Sequence, residues 1–380
     1  MLSLPRRAIT RALLLVVLLA AGVAPSSALL NIDGTRNQIF VFGGLTFAHN
    51  SNMFSERDAR GDYTVTTEIG AELKRRAGII SVNSTAKLAY VRYGEFTDEN
   101  TLNPNFLLLL TKTTGRTTGS LSVSAYRETR SDSAVNLRTS SWNVPISLEV
   151  KYPINEKFAV TSATGYMRRT YSSDQALVDY TDYSEAIDLY YTYTSKLDLF
   201  AGYRFRSGRT SIDGRSLDHW FNVGATGGLF SKMTGTVRFG YQLRDIRGAG
   251  GDQFDHFNIM ASVNWPVTRK FLLSLQAARD FNTIATGATV DSTTASLRGV
   301  YSYTRKIDFS GMVSAGRNEF LTAAQANRRD TFFSWEAGVR YRMNDHIQMG
   351  ASYVYLKNWS TIDLADFVNH TVSFDISGRY

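Results

Sequence analysis

The sequence predicts an all-β fold, a transmembrane up-and-down antiparallel β-barrel of about 18 strands, with 16 as the alternative. Three observations predict it. Apolar and polar residues alternate with a period of two in segment after segment, short polar turn clusters recur at a regular spacing, and aromatic residues of one parity stand at one common height. The composition agrees: 380 residues include 20 Tyr, 22 Phe and 29 Gly against 6 Pro, and 43% of side chains are hydrophobic, too many for a disordered chain. Zero cysteines and a mean hydropathy of -0.20 exclude a disulfide scaffold, a thiolate metal site and a polytopic helical membrane protein.

At the start of the chain, Arg6, Arg7 and Arg11 flank an apolar stretch from Ala12 to Val23, followed by Pro25-Ser26-Ser27-Ala28. The small residues Ser26 and Ala28 occupy the positions a signal peptidase reads, so residues 1–28 are expected to be a cleaved secretory signal and 29–380 the barrel. An apolar core of about 12 residues falls short of the roughly 20 needed for an anchor helix. Loss of the three signal arginines lowers the formal charge from +8 to about +5, too mild to support nucleic-acid binding. About ten residues then precede the first strand, too few for a plug domain.

Strand after strand shows one greasy face and one polar face. Trp142, Val144, Ile146, Leu148, Val150 and Tyr152 alternate with Asn143, Ser147, Glu149 and Lys151; Val237, Phe239, Tyr241 and Leu243 with Arg238, Gln242 and Arg244; Phe333, Trp335, Val339 and Tyr341 with Glu336, Arg340 and Arg342. Turn chemistry falls near Lys74–Gly78, Lys112–Arg116, Pro153–Glu156, Thr194–Lys196, Ser231–Lys232, Thr268–Lys270, Thr304–Lys306 and Asn344–His346, every 36 to 41 residues or so. Longer Gly/Ser/Asp/Arg-rich stretches lie between them, such as Ser207–Asp218, Arg247–Gln253, Asn282–Ser292 and Phe320–Asp330. Short turns alternating with longer loops are the asymmetry of an outer-membrane barrel, tight on the periplasmic side and longer outside. None of the outer loops, roughly 7 to 14 residues each, is long enough by itself to fold far into the lumen.

Tyr152, Tyr193, Trp265, Tyr303, Tyr341 and Tyr380 stand with outward parity at the inner ends of the even-numbered strands, the place for a girdle at headgroup level. In the final segment Val372, Phe374, Ile376 and Tyr380 alternate with polar residues and end on an aromatic, which resembles the strand that the outer-membrane assembly machinery recognises. Outer-membrane lipid and that machinery are the expected partners, in a Gram-negative bacterium, with a monomer as the default state.

Two stretches carry a family resemblance. Trp359-Ser360-Thr361-Ile362-Asp363-Leu364-Ala365-Asp366-Phe367, with His370-Thr371-Val372-Ser373-Phe374 and Gly378-Arg379-Tyr380, resembles the C-terminal end of the putative β-barrel porin 2 family. His49-Asn50-Ser51-Asn52-Met53-Phe54 is similar to the Asp/Asn-rich segment after the first strand of those proteins, and Leu217-Asp218-His219 through Asp245 is similar in wording too. Members of that family, EpsL-like and VpsM-like barrels among them, are often found with exopolysaccharide or capsule export systems. The resemblance implies an outer-membrane conduit for polysaccharide working with periplasmic export proteins.

Inward parity collects a basic stripe of Arg204, Arg206, Arg238 and Arg244, further Arg298, Arg340, Arg342 and Lys151, and the acids Glu68, Glu72, Glu149, Asp188, Asp198, Asp280, Asp308, Glu336 and Asp375. The stripe would attract an anionic polymer or solute. Tyr190 and Phe200, also inward, are candidates for stacking on sugar rings; mutual pairing and lumen packing are the plainer roles for all of these groups. Asp218-His219, Asp255-His256 and Asn369-His370 occupy equivalent places, with His219 and His370 on the lipid parity and His256 on the lumen parity, so convergence on a metal is not expected. No nucleophile elbow, zinc-helix motif, phosphate loop or Cys nucleophile occurs, so no enzyme activity and no cofactor are expected. The expected function is passive export of exopolysaccharide or capsular polysaccharide; the alternatives are a general diffusion porin for small, including anionic, solutes and a structural or adhesive barrel with a closed lumen.

Overall fold

In a computed structural model, residues 37–135, 137–172, 177–212, 214–247, 251–322 and 327–380 are described, so the signal-sequence expectation lies outside the described residues. The strands are β1 (Asn37–Asn50), β2 (Asp62–Ala77), β3 (Ile80–Tyr93), β4 (Thr101–Lys112), β5 (Thr118–Asp132), β6 (Leu137–Pro153), β7 (Phe158–Tyr171), β8 (Tyr180–Thr194) and β9 (Leu197–Thr210). They continue as β10 (Arg215–Gly228), β11 (Thr234–Arg247), β12 (Gln253–Pro266), β13 (Phe271–Thr283), β14 (Thr289–Ser302), β15 (Ile307–Phe320), β16 (Arg329–Arg342), β17 (Ile347–Ser360) and β18 (Phe367–Arg379). Each pairs antiparallel with its neighbours in sequence, and β1 closes on β18 from Phe42↔Arg379 to Asn50↔Thr371, giving one closed 18-stranded sheet.

The short turns form because their polar side chains replace missing backbone partners. Asn155 Oδ1 accepts from the Lys157 and Phe158 amides at 2.9 Å each, and Asn344 Oδ1 from His346 at 2.9 Å and Ile347 at 2.7 Å. Thr268 and Thr304 do the same through Oγ1. The first turn lies later than the Lys74–Gly78 cluster suggests: β2 runs on to Ala77, and Gly78, at φ +62°, reverses the chain because a left-handed residue there is nearly free only for glycine.

Burial is inverted relative to a water-soluble protein. The largest fully buried side chains include Arg244, Gln242, Asn52, Asn143, Asp62, Asp218 and Asp330, whereas Ile69, Phe221, Val223, Phe239 and Phe374 are more than half exposed. Apolar groups face outward on the alternate residues of every ladder, the arrangement that hydrocarbon solvent requires.

One seam departs from this regularity. β12 and β13 pair only from Met260↔Ala278 to Pro266↔Leu272, although β11–β12 is paired up to Asp245↔Gln253 and β13–β14 up to Thr283↔Thr289. Above the break, β13 passes behind β12 into the lumen. Phe281, on the outward parity of β13, is 1% exposed and stacks at 4.0 Å on His256, which belongs to the inner face of β12. The expectation that no outer loop is long enough to fold far into the lumen concerns loops alone; here it is the top of the β13–β14 hairpin that bends inward.

Candidate functional site

The lumen wall from β8 to β14 is built by parity. Register places Arg204 opposite Trp220, Arg206 opposite Asp218, and Asp218 opposite Arg244 on the inner face of β9, β10 and β11. Asp218 is forked between two guanidiniums: Arg206 Nε donates to Oδ2 at 2.6 Å, and Arg244 Nε and Nη2 donate to Oδ1 and Oδ2 at 2.6 and 2.8 Å. Arg206 also reaches the inward hairpin, donating to Asp280 Oδ1 at 3.1 Å and to the Phe281 carbonyl at 2.6 Å. Gln242 donates to Asp280 Oδ1 at 3.0 Å. These bonds hold the hairpin against the wall.

Lower in the barrel, Arg238 makes a two-pronged bond to Asp188 at 2.9 and 2.7 Å. Gly202, opposite Asp188, is required here, since a Cβ at that position would collide with the carboxylate. Arg342 pairs with Asp308 near the short-turn end. Four of the seven lumen arginines are thus neutralised. Among the described residues Arg204, Arg298 and Arg340 have no carboxylate partner; Arg298 and Arg340 are exposed, and Arg204 lies with its guanidinium 4.6 Å from the Trp220 ring.

The two lumen aromatics pack together, with ring centroids 5.2 Å apart. Phe200 is covered by Arg238 at 4.5 Å and Tyr190 by Lys151 at 5.2 Å, so neither presents a bare ring to the channel. Trp220, 2% exposed and sandwiched between Arg204 and Arg206, is the larger inward aromatic. Sequence reasoning passed over it, although a Trp on the polar parity of β10 breaks the alternation and was the available signal.

Further round the ring, from β12 to β16, the lining is a row of polar, mostly small side chains. Ser262, Gln276, Ser296, Ser314 and Ser334 stand in register from β12 to β16. The girdle positions Tyr152, Tyr193, Trp265, Tyr303 and Tyr341 are all exposed on the outer face, and Tyr380 stacks flat on His346 at 4.8 Å. In the final strand Val372, Phe374 and Ile376 face outward against Tyr353, Ala351 and Met349 of β17. The histidines separate as parity dictates: Tyr203 bonds His219 at 2.7 Å and Tyr353 bonds His370 at 2.8 Å on the outer face, while His256 lies inside, 3.1 Å from Asp291. Among the described residues no three His, Cys, Asp or Glu side chains are placed to hold a metal ion.

The outer mouth is crossed by loop contacts. Arg328, 3% exposed, follows β15 and pairs with Asp330 of β16 at 2.7 Å. It donates to the carbonyls of Ser133 and Ala134 at 2.7 and 2.8 Å, in the β5–β6 loop on the opposite side of the ring. The Val178 amide bonds the Ala285 carbonyl at 2.7 Å, joining the β7–β8 loop to the tip of the inward hairpin. Ser131 Oγ donates to the Phe54 carbonyl at 2.6 Å, tying the β1–β2 loop to β5. Nothing in the sequence announced Arg328, since it sits in a loop with no periodicity to read.

Residues 213–380, which contain β10 to β18, match the family model described as Putative beta-barrel porin 2. The match is to the family and does not single out its EpsL-like or VpsM-like members. No curated protein matches the chain. Among solved structures, OpdK of Pseudomonas aeruginosa aligns with a TM-score of 0.51 at 10% identity, covering 90% of this chain and 99% of that one. Its structure with vanillate gives 0.50 at 11% identity over the same shares, 90% and 99%. The FrpB iron transporter of Neisseria meningitidis gives 0.50 at 10% identity, covering 89% of this chain and 64% of that one. At such identities the likeness is one of fold. The fold is that of outer-membrane β-barrels, and residues 213–380, fewer than half of the chain, match the putative β-barrel porin 2 family model.

Proposed function

We propose that this channel is a gated conduit for an acidic exopolysaccharide or capsular polysaccharide leaving the cell, guided passively and without a cofactor. The observation that carries the reading is the sorting of the lumen arginines. Arg298 and Arg340, near the short-turn end, and Arg204, higher up, are the ones without a carboxylate partner among the described residues. An anionic chain entering from the periplasm can pair with Arg298 and Arg340, inside low-dielectric walls that focus the field. The in-register polar row from Ser262 through Gln276 to Ser334 supplies many weak hydrogen-bonding positions, which suits a polymer that must slide without lodging.

The loop ties across the mouth favour a gate over a permanently open porin, and periplasmic export proteins that push the polymer would supply the work of parting them. Deletion of the gene is expected to abolish surface polysaccharide while synthesis continues; undiminished surface polysaccharide would remove the export reading. In planar bilayers the refolded barrel is expected to pass little current until Arg328→Ala parts the mouth, and anionic oligosaccharide should then block it. Large wild-type current indifferent to sugar would identify a general diffusion porin, and silence in both forms a structural barrel.

A further inference from the structure

The broken seam has a lipid side as well as a lumen side. Above Met260 the edge of β12 that should meet β13 has no ladder, and the polar contacts described across the gap come from side chains, the Asn258 amide to the Arg279 carbonyl and His256 to Asp291. A strand edge at membrane depth is costly unless water or a polar partner reaches it. Directly outside lies a groove of 720 Å³ whose apolar floor is Phe221, Val223, Phe239, Phe257 and Ile259, with Arg279 at its edge. Phe257 is 77% exposed, far more than an ordinary wall residue.

Height and charge agree on what belongs there. Phe257 stands eight residues above the girdle residue Trp265 on β12, or roughly 21 Å at a typical rise and tilt, near the outer limit of an apolar band about 25 Å tall. That is where amphiphile headgroups of the outer leaflet begin. Arg279 spends Nε and Nη2 on Asp291, which is shared with His256, while Nη1 makes no bond to the described residues.

We propose that the notch at the β12–β13 seam binds an anionic amphiphile of the outer leaflet, its hydrocarbon chain across the Phe221, Phe239 and Phe257 rings and its anionic head on Arg279 and the open edge of β12. The rings supply dispersion and area, the guanidinium and free amides supply the head contacts, and the bound lipid covers the edge that the inward hairpin exposes. This assignment is independent of the export reading, because the notch faces lipid and none of the unpaired lumen arginines lines it.

Vesicles containing phosphatidylglycerol with a photoactivatable acyl chain test it, with the refolded full barrel and peptide mapping of the cross-links. Cross-links are expected to concentrate on the segments around Phe221, Phe239 and Phe257, to fall about tenfold in Arg279→Gln and in Phe257→Ala, and to be weak with a diacylglycerol carrying the same chain. Phe374→Ala, which removes a ring 59% exposed on β18, should leave the pattern unchanged. Heat-modifiable gel migration confirms folding of each variant, and Arg279→Lys, which keeps the charge, should restore most of the labelling. Labelling spread evenly around the barrel, equal capture of the uncharged lipid, or an unaffected Arg279→Gln variant would each overturn the site.

Discussion

Asp218 shows what a single lumen residue does. Its carboxylate has no exposure and serves two arginines, so Asp218→Asn leaves two buried positive charges with half their compensation. A loss of about 3–5 kcal/mol is expected, the usual cost of breaking a buried pair from one side, and a lower urea midpoint in vesicles would register it. Asp218→Leu combined with Arg244→Met should recover much of that loss, since the Asp218–Arg244 pair goes as a unit while Arg206 keeps Asp280. Arg204 calls for the opposite expectation. With no carboxylate partner among the described residues, Arg204→Gln should leave stability nearly unchanged and reduce anion selectivity, read as a shift in reversal potential under a salt gradient.

At the scale of elements, the inward bend of the β13–β14 hairpin depends on contacts that can be removed one at a time. Asp280→Ala takes away the carboxylate that Arg206 and Gln242 both hold. The hairpin should then loosen, seen as faster hydrogen exchange at residues 279–283 and higher conductance in bilayers. Gly202→Ala is expected to push Asp188 off Arg238 and loosen the same wall lower down, with increased exchange in β8 and β9. Period and parity made the strands, the turns at Asn155, Thr268, Thr304 and Asn344, and the two faces of every ladder legible in the sequence, because each depends on residues close in the chain. The bend was not legible. It depends on Phe281 meeting His256 and Arg206, residues brought together by the curvature of the whole wall, and outward parity alone assigns Phe281 to lipid.

For the whole molecule, the proposed gate at the mouth can be tested at one residue. Arg328 joins loops from opposite sides of the ring, so Arg328→Ala should raise single-channel current severalfold and lengthen open times, while Arg328→Lys, which cannot reach two carbonyls and a carboxylate in the same fork, should give an intermediate. Unchanged current in the alanine variant would show that another obstruction dominates. Sequence reasoning reached the strand number, the lipid and lumen faces and the list of lumen charges. Which of those charges cancel was out of reach, because Arg206 and Arg238 find Asp280 and Asp188 across intervening strands, at separations of 74 and 50 residues.

The pairing of β1 with β18 has a kinetic meaning. Every other ladder joins strands adjacent in sequence and can form as a local hairpin, but this one brings together groups such as His370 and Ser51, 319 positions apart. Loop-closure entropy makes such a contact the slow one. Until it forms, the sheet has two raw edges able to recruit any extended chain nearby. The interval between the first hairpin and the final zipping of β1 to β18 is therefore the period in which the chain most needs a chaperone, and in refolding trials dilution should improve yield more than added time.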